Sequence, residues 1–209
     1  MLTSTHDKVF SAGGNLDQFA AEVPIVHKHF GTERFPELFT LIMQLGKPTI
    51  CAANGHVLAG ALGVALACDL IVATGGAKLG IPEVKRSLVA AGGALLRLPR
   101  RIPYHVAMEL ALTGDTITAE RGYELGFVNR VVERGDAVDT ALALAAAIEL
   151  NAPLALAASK RIIMESPDWS REEEFDRQAE IAGPVFTSED AREGATAFTE
   201  KRDPVWKGR

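Results

Sequence analysis

Three short stretches of this 209-residue chain carry residue types that can do chemistry. "SAGGNL" (11–16) and "NGHVLAG" (54–60) place glycines at turns, and "GIPEV" (80–84) places a glutamate directly after a proline. A glycine at a turn presents its backbone N–H with no side chain in front of it. Two such donors converging on one carbonyl oxygen would form an oxyanion hole. The second, Gly60, opens an apolar helix and would add the positive end of the helix dipole. The plainer reading is that these glycines make turns and let elements pack closely. Glu83 also has two readings. A partly buried carboxylate held by Pro82 would have a raised pKa and would shuttle protons. Beside Lys85 and Arg86 it would instead be a solvated loop acid.

Other chemistries find less support. The dinucleotide pattern GxGxxG, the phosphate loop GxxxxGK[ST] and the nucleophile elbow GxSxG are all absent. His27 and His29 form an H-x-H pair, but no second cluster completes a metal site, so no metal is expected. His56 follows an Asn-Gly turn and reads as structural, and Asp69 as a cap or ion-pair partner. Cys51 and Cys68 lie in apolar runs, which suggests buried thiols in a reducing compartment. Hydrophobic residues make up 47% and charged residues 23%, enough for a substantial core. The net charge of −5 and pI of about 5.6, with no basic stripe, argue against nucleic acid. No apolar run reaches the roughly 18 residues of a membrane span, and "MLTSTHDKVF" lacks a signal-peptide core. A cytoplasmic protein with no membrane partner is expected.

The elements that must hold these residues follow from punctuation and periodicity. "KVFSAGGNL" reads as strand into tight turn, residues 35–45 as an amphipathic helix, and "KPTICAANG" as a strand ending in an Asn-Gly turn. "AGALGVALACD" reads as a helix of small residues, "LIVAT" as a buried strand and "GFVNRVV" as another. A helix is predicted around Val106–Leu112, and another capped by Thr118 that stops at Gly126. After Asp136 the chain reads as helices alone: "ALALAAAIEL", Pro153 to about Met164, 170–182, and 188–201 capped by Ser188. The fold class is α/β, with a core over 1–150 and a helical region over 151–209. "MLTST" reads as the last residues of a strand without a sheet partner before it, which points to a natural start upstream.

"VFSAGGNL", "NGHVLAGALGVALACDLIVAT", "LGIPEV" and "AAGGALLRLPR", in that order, resemble the signature segments of the crotonase superfamily, the enoyl-CoA hydratase/isomerase proteins. The ending "AFTEKRDPVWKGR" is similar to that of its carnitinyl-CoA dehydratase-like branch. The resemblance implies a spiral of ββα units with a C-terminal helical region, assembled as a homotrimer or dimer of trimers. It also implies an acyl-CoA thioester substrate, no separate cofactor, and absence here of the family's first strands and first helix. The oxyanion-hole amides would be those of Gly14 and Gly60, and the catalytic carboxylate that of Glu83. A second family glutamate falls on Gly63, which has no side chain. That gap leaves a hydratase working with Glu83, an isomerase using the same single glutamate, or a non-catalytic acyl-CoA-binding protein. By position, Ala12, Asn15 and Leu16 would contact coenzyme A, and Pro82, Val89, Ala91 and Gly92 would line the acyl end. Phe198 and Lys201 would reach coenzyme A from the last helix, unless Phe198 packs in the core with Ala191 and Ala195. The stretch from Phe19 to Leu45 would cover the acyl chain.

Overall fold

Among the described residues eight short strands form two sheets, and over the first six strands the chain alternates between them. The computed structural model describes residues 1–18 and 34–209; His27, His29 and the part of the acyl-covering stretch within 19–33 lie outside the described residues. The first sheet, in the order β1-β3-β5-β8, is parallel throughout: Leu2–Thr3, Ile50–Ala53, Leu70–Thr74 and Arg130–Val132. The second runs β2-β4-β6-β7: Val9–Ser11, His56–Leu58, Lys78–Gly80 and Thr116–Thr118, with only the β6–β7 pair antiparallel. Each step from β1 to β6 therefore switches sheets, which is the expected spiral. Leu2–Thr3 is indeed strand, and it forms the edge of its sheet beside Cys51 and Ala52.

Helix α1 spans Arg34–Gln44 and α2 Gly60–Ala67. Helices α3 (Ala94–Arg97), α4 (Tyr104–Thr113) and α5 (Ala119–Glu124) follow, then α6 (Ala137–Glu149), α7 (Pro153–Glu165), α8 (Glu174–Phe186) and α9 (Glu189–Glu200). The chain divides into two compact units: Met1–Leu45 with Thr49–Ala143, and Gly46–Pro48 with Leu144–Arg209.

In the first unit α2 is the centre of the core. Its residues are apolar on every side, the pattern of a helix with no solvent face. Leu62 and Leu66 are fully buried among Val57, Leu79, Ile81 and Leu98. Cys51 and Cys68 share this core, and neither is in a disulfide. Burial pushes the Cys51 thiol far up, with the neighbouring Cys68 adding to the shift. Asp69, just past α2, accepts from the N–H and hydroxyl of Thr49 at 2.7 and 2.8 Å, a structural pairing as expected. His56 is structural too: its Nδ1 accepts the Lys78 N–H at 2.9 Å. Thr118 caps α5 by accepting from the Arg121 N–H at 3.3 Å. The strand expected from "GFVNRVV" shortens to Arg130–Val132, because the Asn129 side chain is used to accept the Ile71 N–H at 2.8 Å.

In the second unit the chain end is strapped back along α9. Ser188 Oγ accepts from the Ala191 N–H at 3.0 Å and caps the helix. Asp190 is 2% exposed, and its two carboxylate oxygens accept the N–H groups of Lys207 and Gly208 at 2.7 and 2.8 Å. Arg202 grips both oxygens of Glu193 at 2.6 and 3.0 Å, and Val205 N–H donates to one of them. These bonds, the Arg202 pair foremost, pull the Glu193 carboxyl down to about 2. Trp206 donates to the Leu150 carbonyl at 2.9 Å and lays its ring where a side chain at Gly194 would stand.

The inward face of α9 is therefore Asp190, Glu193, Gly194 and Ala197. Phe198 falls one residue past that stripe and is 87% exposed, with Ala195 exposed beside it. The alternative of Phe198 packing in the core is corrected by this register. The helix expected at 170–182 begins at Glu174, after a turn in which Ser170 accepts the N–H groups of Glu173 and Glu174. It then runs on to Phe186 through Pro184.

Replacing Asp190 by alanine strands two backbone N–H groups that now meet a carboxylate. We expect Asp190→Ala to lower stability by about 3 kcal/mol in urea denaturation. A loss under about 1 kcal/mol would show that the strap holds without its buried acceptor.

Candidate active site

The site is built where β4 hands over to α2. Ala59, between them, has φ 58° and ψ −134°, a conformation an alanine adopts only under constraint. The constraint is visible on both sides. Its N–H donates to the Gly80 carbonyl at 2.9 Å, and its own carbonyl accepts from the Leu62 N–H at 2.9 Å. Such a residue stores about 1–3 kcal/mol. The strained link delivers Gly60 as the first residue of α2. A Cβ on Gly60 would meet nothing within 4 Å. Its N–H finds no acceptor among the described residues, as befits the first turn of a helix.

The other glycine turn closes directly on this point. At Gly13, with φ +94°, a Cβ would lie 2.6 Å from the Ala59 Cβ and 3.5 Å from the Gly60 nitrogen. Only a residue with no side chain lets the two turns approach so closely. Gly13 N–H donates to Ser11 Oγ at 3.3 Å, whereas the N–H of exposed Gly14 has no acceptor among the described residues. The two turns singled out in the sequence, far apart in the chain, are thus neighbours.

One turn of helix beyond Gly60, the space in front of Gly63 is filled. A Cβ there would strike the carbonyl of Gly92. Gly92 in turn would place a Cβ 3.2 Å from the Gly60 Cα and 3.5 Å from the Phe39 ring. Residue 63 is glycine, and the 92–93 turn occupies the volume that a side chain would need.

Glu83 lies in the 3₁₀ turn Pro82–Arg86, which Ser87 terminates in a left-handed conformation. The residue is half-buried, and its Oε2 is buried with no hydrogen-bond partner among the described residues. Burial raises its pKa above the ordinary 4.5, partly offset by its own backbone N–H. The reading of Glu83 as a solvated acid beside Lys85 does not hold, since Lys85 instead pairs with Asp115 at 2.6 Å. An orphaned carboxylate oxygen with a raised pKa is equipped to take and return a proton.

The remaining sequence candidates divide by location. In the first unit, Ala12, Asn15 and Leu16 are exposed on the first turn, where Asn15 Oδ1 accepts the Asp17 N–H at 3.0 Å. Val89 and Ala91 are exposed, Pro82 is half-buried, and Gly92 is buried against α2. Phe198 and Lys201 belong to the second unit, both exposed, with Lys201 in the left-handed cap of α9. Among the described residues no group of three His, Cys, Asp or Glu is placed to hold a metal ion. No single described helix is long and apolar enough to cross a membrane. Sequence reasoning missed Ala59, whose only signal is an alanine where the neighbouring glycines set the pattern.

Two stability measurements follow from this geometry. The folded protein keeps the Glu83 proton above pH 4.5, where the unfolded chain has lost it. The native state is therefore progressively disfavoured as pH rises from there through the folded pKa. Glu83→Gln should match wild type near pH 4 and melt higher than wild type at neutral pH. Equal melting temperatures throughout would show that burial of this carboxylate carries no cost. Gly63→Ala should lose about 1–3 kcal/mol, because the Gly92 carbonyl must move.

Comparison with known proteins identifies the family. The family model described as enoyl-CoA hydratase/isomerase matches residues 1–209, which lends no support to the expectation of a missing opening part. A carnitinyl-CoA dehydratase of Salmonella enteritidis PT4 is 40% identical over 213 residues, covering 100% of this chain and 81% of that protein. An enoyl-CoA hydratase structure from Mycobacterium tuberculosis H37Rv superposes with TM-score 0.85 at 51% identity, over 99% of this chain and 79% of that one. Another from Polaromonas sp. JS666 gives 0.92 at 32% identity, over 98% and 80%. The chain belongs to the enoyl-CoA hydratase/isomerase family.

Proposed function

We propose that this protein catalyses the reversible hydration of a 2-enoyl-CoA thioester with a single carboxylate. The Gly14 and Gly60 N–H groups hold the thioester oxygen and stabilise the enolate that forms when water adds at C3, with the α2 dipole behind Gly60. Glu83 takes a proton from the attacking water and delivers one to C2; dehydration runs the same steps backwards. The observation that carries this reading is the buried, unpartnered Oε2 of Glu83 in the unit where the two glycine turns meet. The names of the hydratase and dehydratase relatives support it.

By the same resemblance, Ala12, Asn15 and Leu16 contact coenzyme A, and Pro82, Val89, Ala91 and Gly92 border the acyl end. Phe198 and Lys201 add an aromatic and a basic group toward coenzyme A, and the protein assembles as a homotrimer or dimer of trimers. No separate cofactor is required, since coenzyme A is part of the substrate.

The closed position in front of Gly63 favours a second reading, an enoyl-CoA isomerase. One base suffices to move a double bond, since the proton taken from one carbon is returned to another. Mass spectrometry of a 2-enoyl-CoA and a 3-enoyl-CoA incubated in heavy water separates the two. Addition of water to the 2-enoyl substrate is the expected result, and Glu83→Gln should slow it by about 10²–10⁴-fold. Double-bond migration without added water would replace hydratase by isomerase. No change in either substrate from folded protein would leave a non-catalytic acyl-CoA-binding protein, and a fully active Glu83→Gln would overturn both enzymatic readings.

A further inference from the structure

Arg97, the last residue of α3, is a half-buried cation without a carboxylate partner among the described residues. Its Nη2 donates to the thioether sulfur of Met43 at 3.1 Å, and its guanidinium carbon stands 5.3 Å from the centre of the Phe39 ring. Its Nη1 is buried with no hydrogen-bond partner among the described residues. Arg101, four residues on, shows the usual solution: it donates to the Leu66 carbonyl at the end of α2 and sits within the field of Asp69. An orphaned buried donor is destabilising, so Arg97 is held where it lies at a cost to the fold.

It fills the space above Gly93. That glycine has φ +79°, and a Cβ on it would strike Arg97 Nη1. Gly92, the next residue back, lies against both the Phe39 ring and the Gly60 Cα, and its carbonyl covers Gly63. The guanidinium thus joins a tight cluster. It touches Met43 and Phe39 of α1 and Gly93 of the turn, and the same turn touches Phe39 and the first turn of α2 through Gly92.

We propose that Arg97 is a positioning residue. Its flat guanidinium, packed against Phe39, Met43 and Gly93, holds the Gly92–Gly93 turn in place beside α2 and so sets the direction of the Gly60 N–H. The proposal rests on the reading of Gly60 as a donor to the thioester oxygen. A lysine keeps the charge but not the rigid planar fork, and a methionine keeps the length but neither charge nor plane. Both should therefore leave the turn loose.

The test uses acetoacetyl-CoA, whose C2 lies between two carbonyls and whose enolate absorbs in the ultraviolet. Wild-type protein should lower the pH at which the bound ligand enolises. Arg97→Lys and Arg97→Met should each raise that pH by about one unit, equivalent to a tenfold weaker hold on the oxyanion. Turnover of a 2-enoyl-CoA should fall about 10–100-fold in kcat with KM changed less than about twofold. If Arg97→Met does not fold, Arg97→Lys is read alone. A folded variant with wild-type enolisation and kcat would overturn the proposal. Wild-type protein that leaves enolisation unmoved would overturn the Gly60 reading itself, a result distinct from unaltered variants.

Discussion

Four glycines meet where backbone must touch backbone. Gly13 lies against Ala59 and the Gly60 nitrogen, Gly92 against the Gly60 Cα, and the Gly92 carbonyl against Gly63. A Cβ at Gly13 or Gly63 would overlap its neighbour, and one at Gly92 would stand a tight 3.2 Å from the Gly60 Cα. Three segments, the first turn, the head of α2 and the 92–93 turn, are thereby held close to one another. The strain at Ala59 is sustained by the same lock, since its N–H and carbonyl are both committed. A helix of eight residues with two glycines would be a poor helix in isolation. Here burial of Leu62 and Leu66 outweighs that cost, each leucine contributing on the order of 1.5–3 kcal/mol.

The absence of a side chain at Gly63 takes a different meaning once its neighbour is known. From resemblance alone it is a missing carboxylate. In the fold it is a packing requirement, because the Gly92 carbonyl fills that volume. A glutamate substituted at 63 would not restore a second acid; it would first have to displace the 92–93 turn. The volume that a side chain at 63 would need is thus closed by the shape of the core. The elevated pKa of Glu83 comes from burial.

Much of this was legible in the residues. The all-apolar run 57–68 announces a buried helix, the Pro-Glu pair marks a constrained carboxylate, and the caps at Thr118 and Ser188 stand where hydroxyls precede helical patterns. Beyond its first strand, read in "KVFSAGGNL", the second sheet was not legible, because His56–Leu58, Lys78–Gly80 and Thr116–Thr118 are three residues each, too short to display an alternation. The roles of Gly92, Gly93 and Arg97 were hidden for another reason. Gly92 and Arg97 depend on partners roughly 30 to 60 positions away in the chain, and although Gly93 meets Arg97 only four positions on, nothing local distinguishes a glycine that receives a guanidinium from one that simply turns. Phe198 stayed open between a coenzyme A contact and core packing because Ala191, Ala195 and Phe198 form a plausible apolar stripe, while the true inward face is set by a buried aspartate and the returning tail.

The two core cysteines give the molecule a property unrelated to its chemistry. Cys51 lies on a central strand and Cys68 at the end of the central helix, both shielded, and the Cys51 thiol is held protonated by its surroundings. Alkylating reagents attack the thiolate, so the closed protein is silent to them. Every molecule that becomes labelled has opened its core. The rate of labelling therefore counts excursions from the native state, and the chain carries its own clock for the breathing of the spiral, with no probe added.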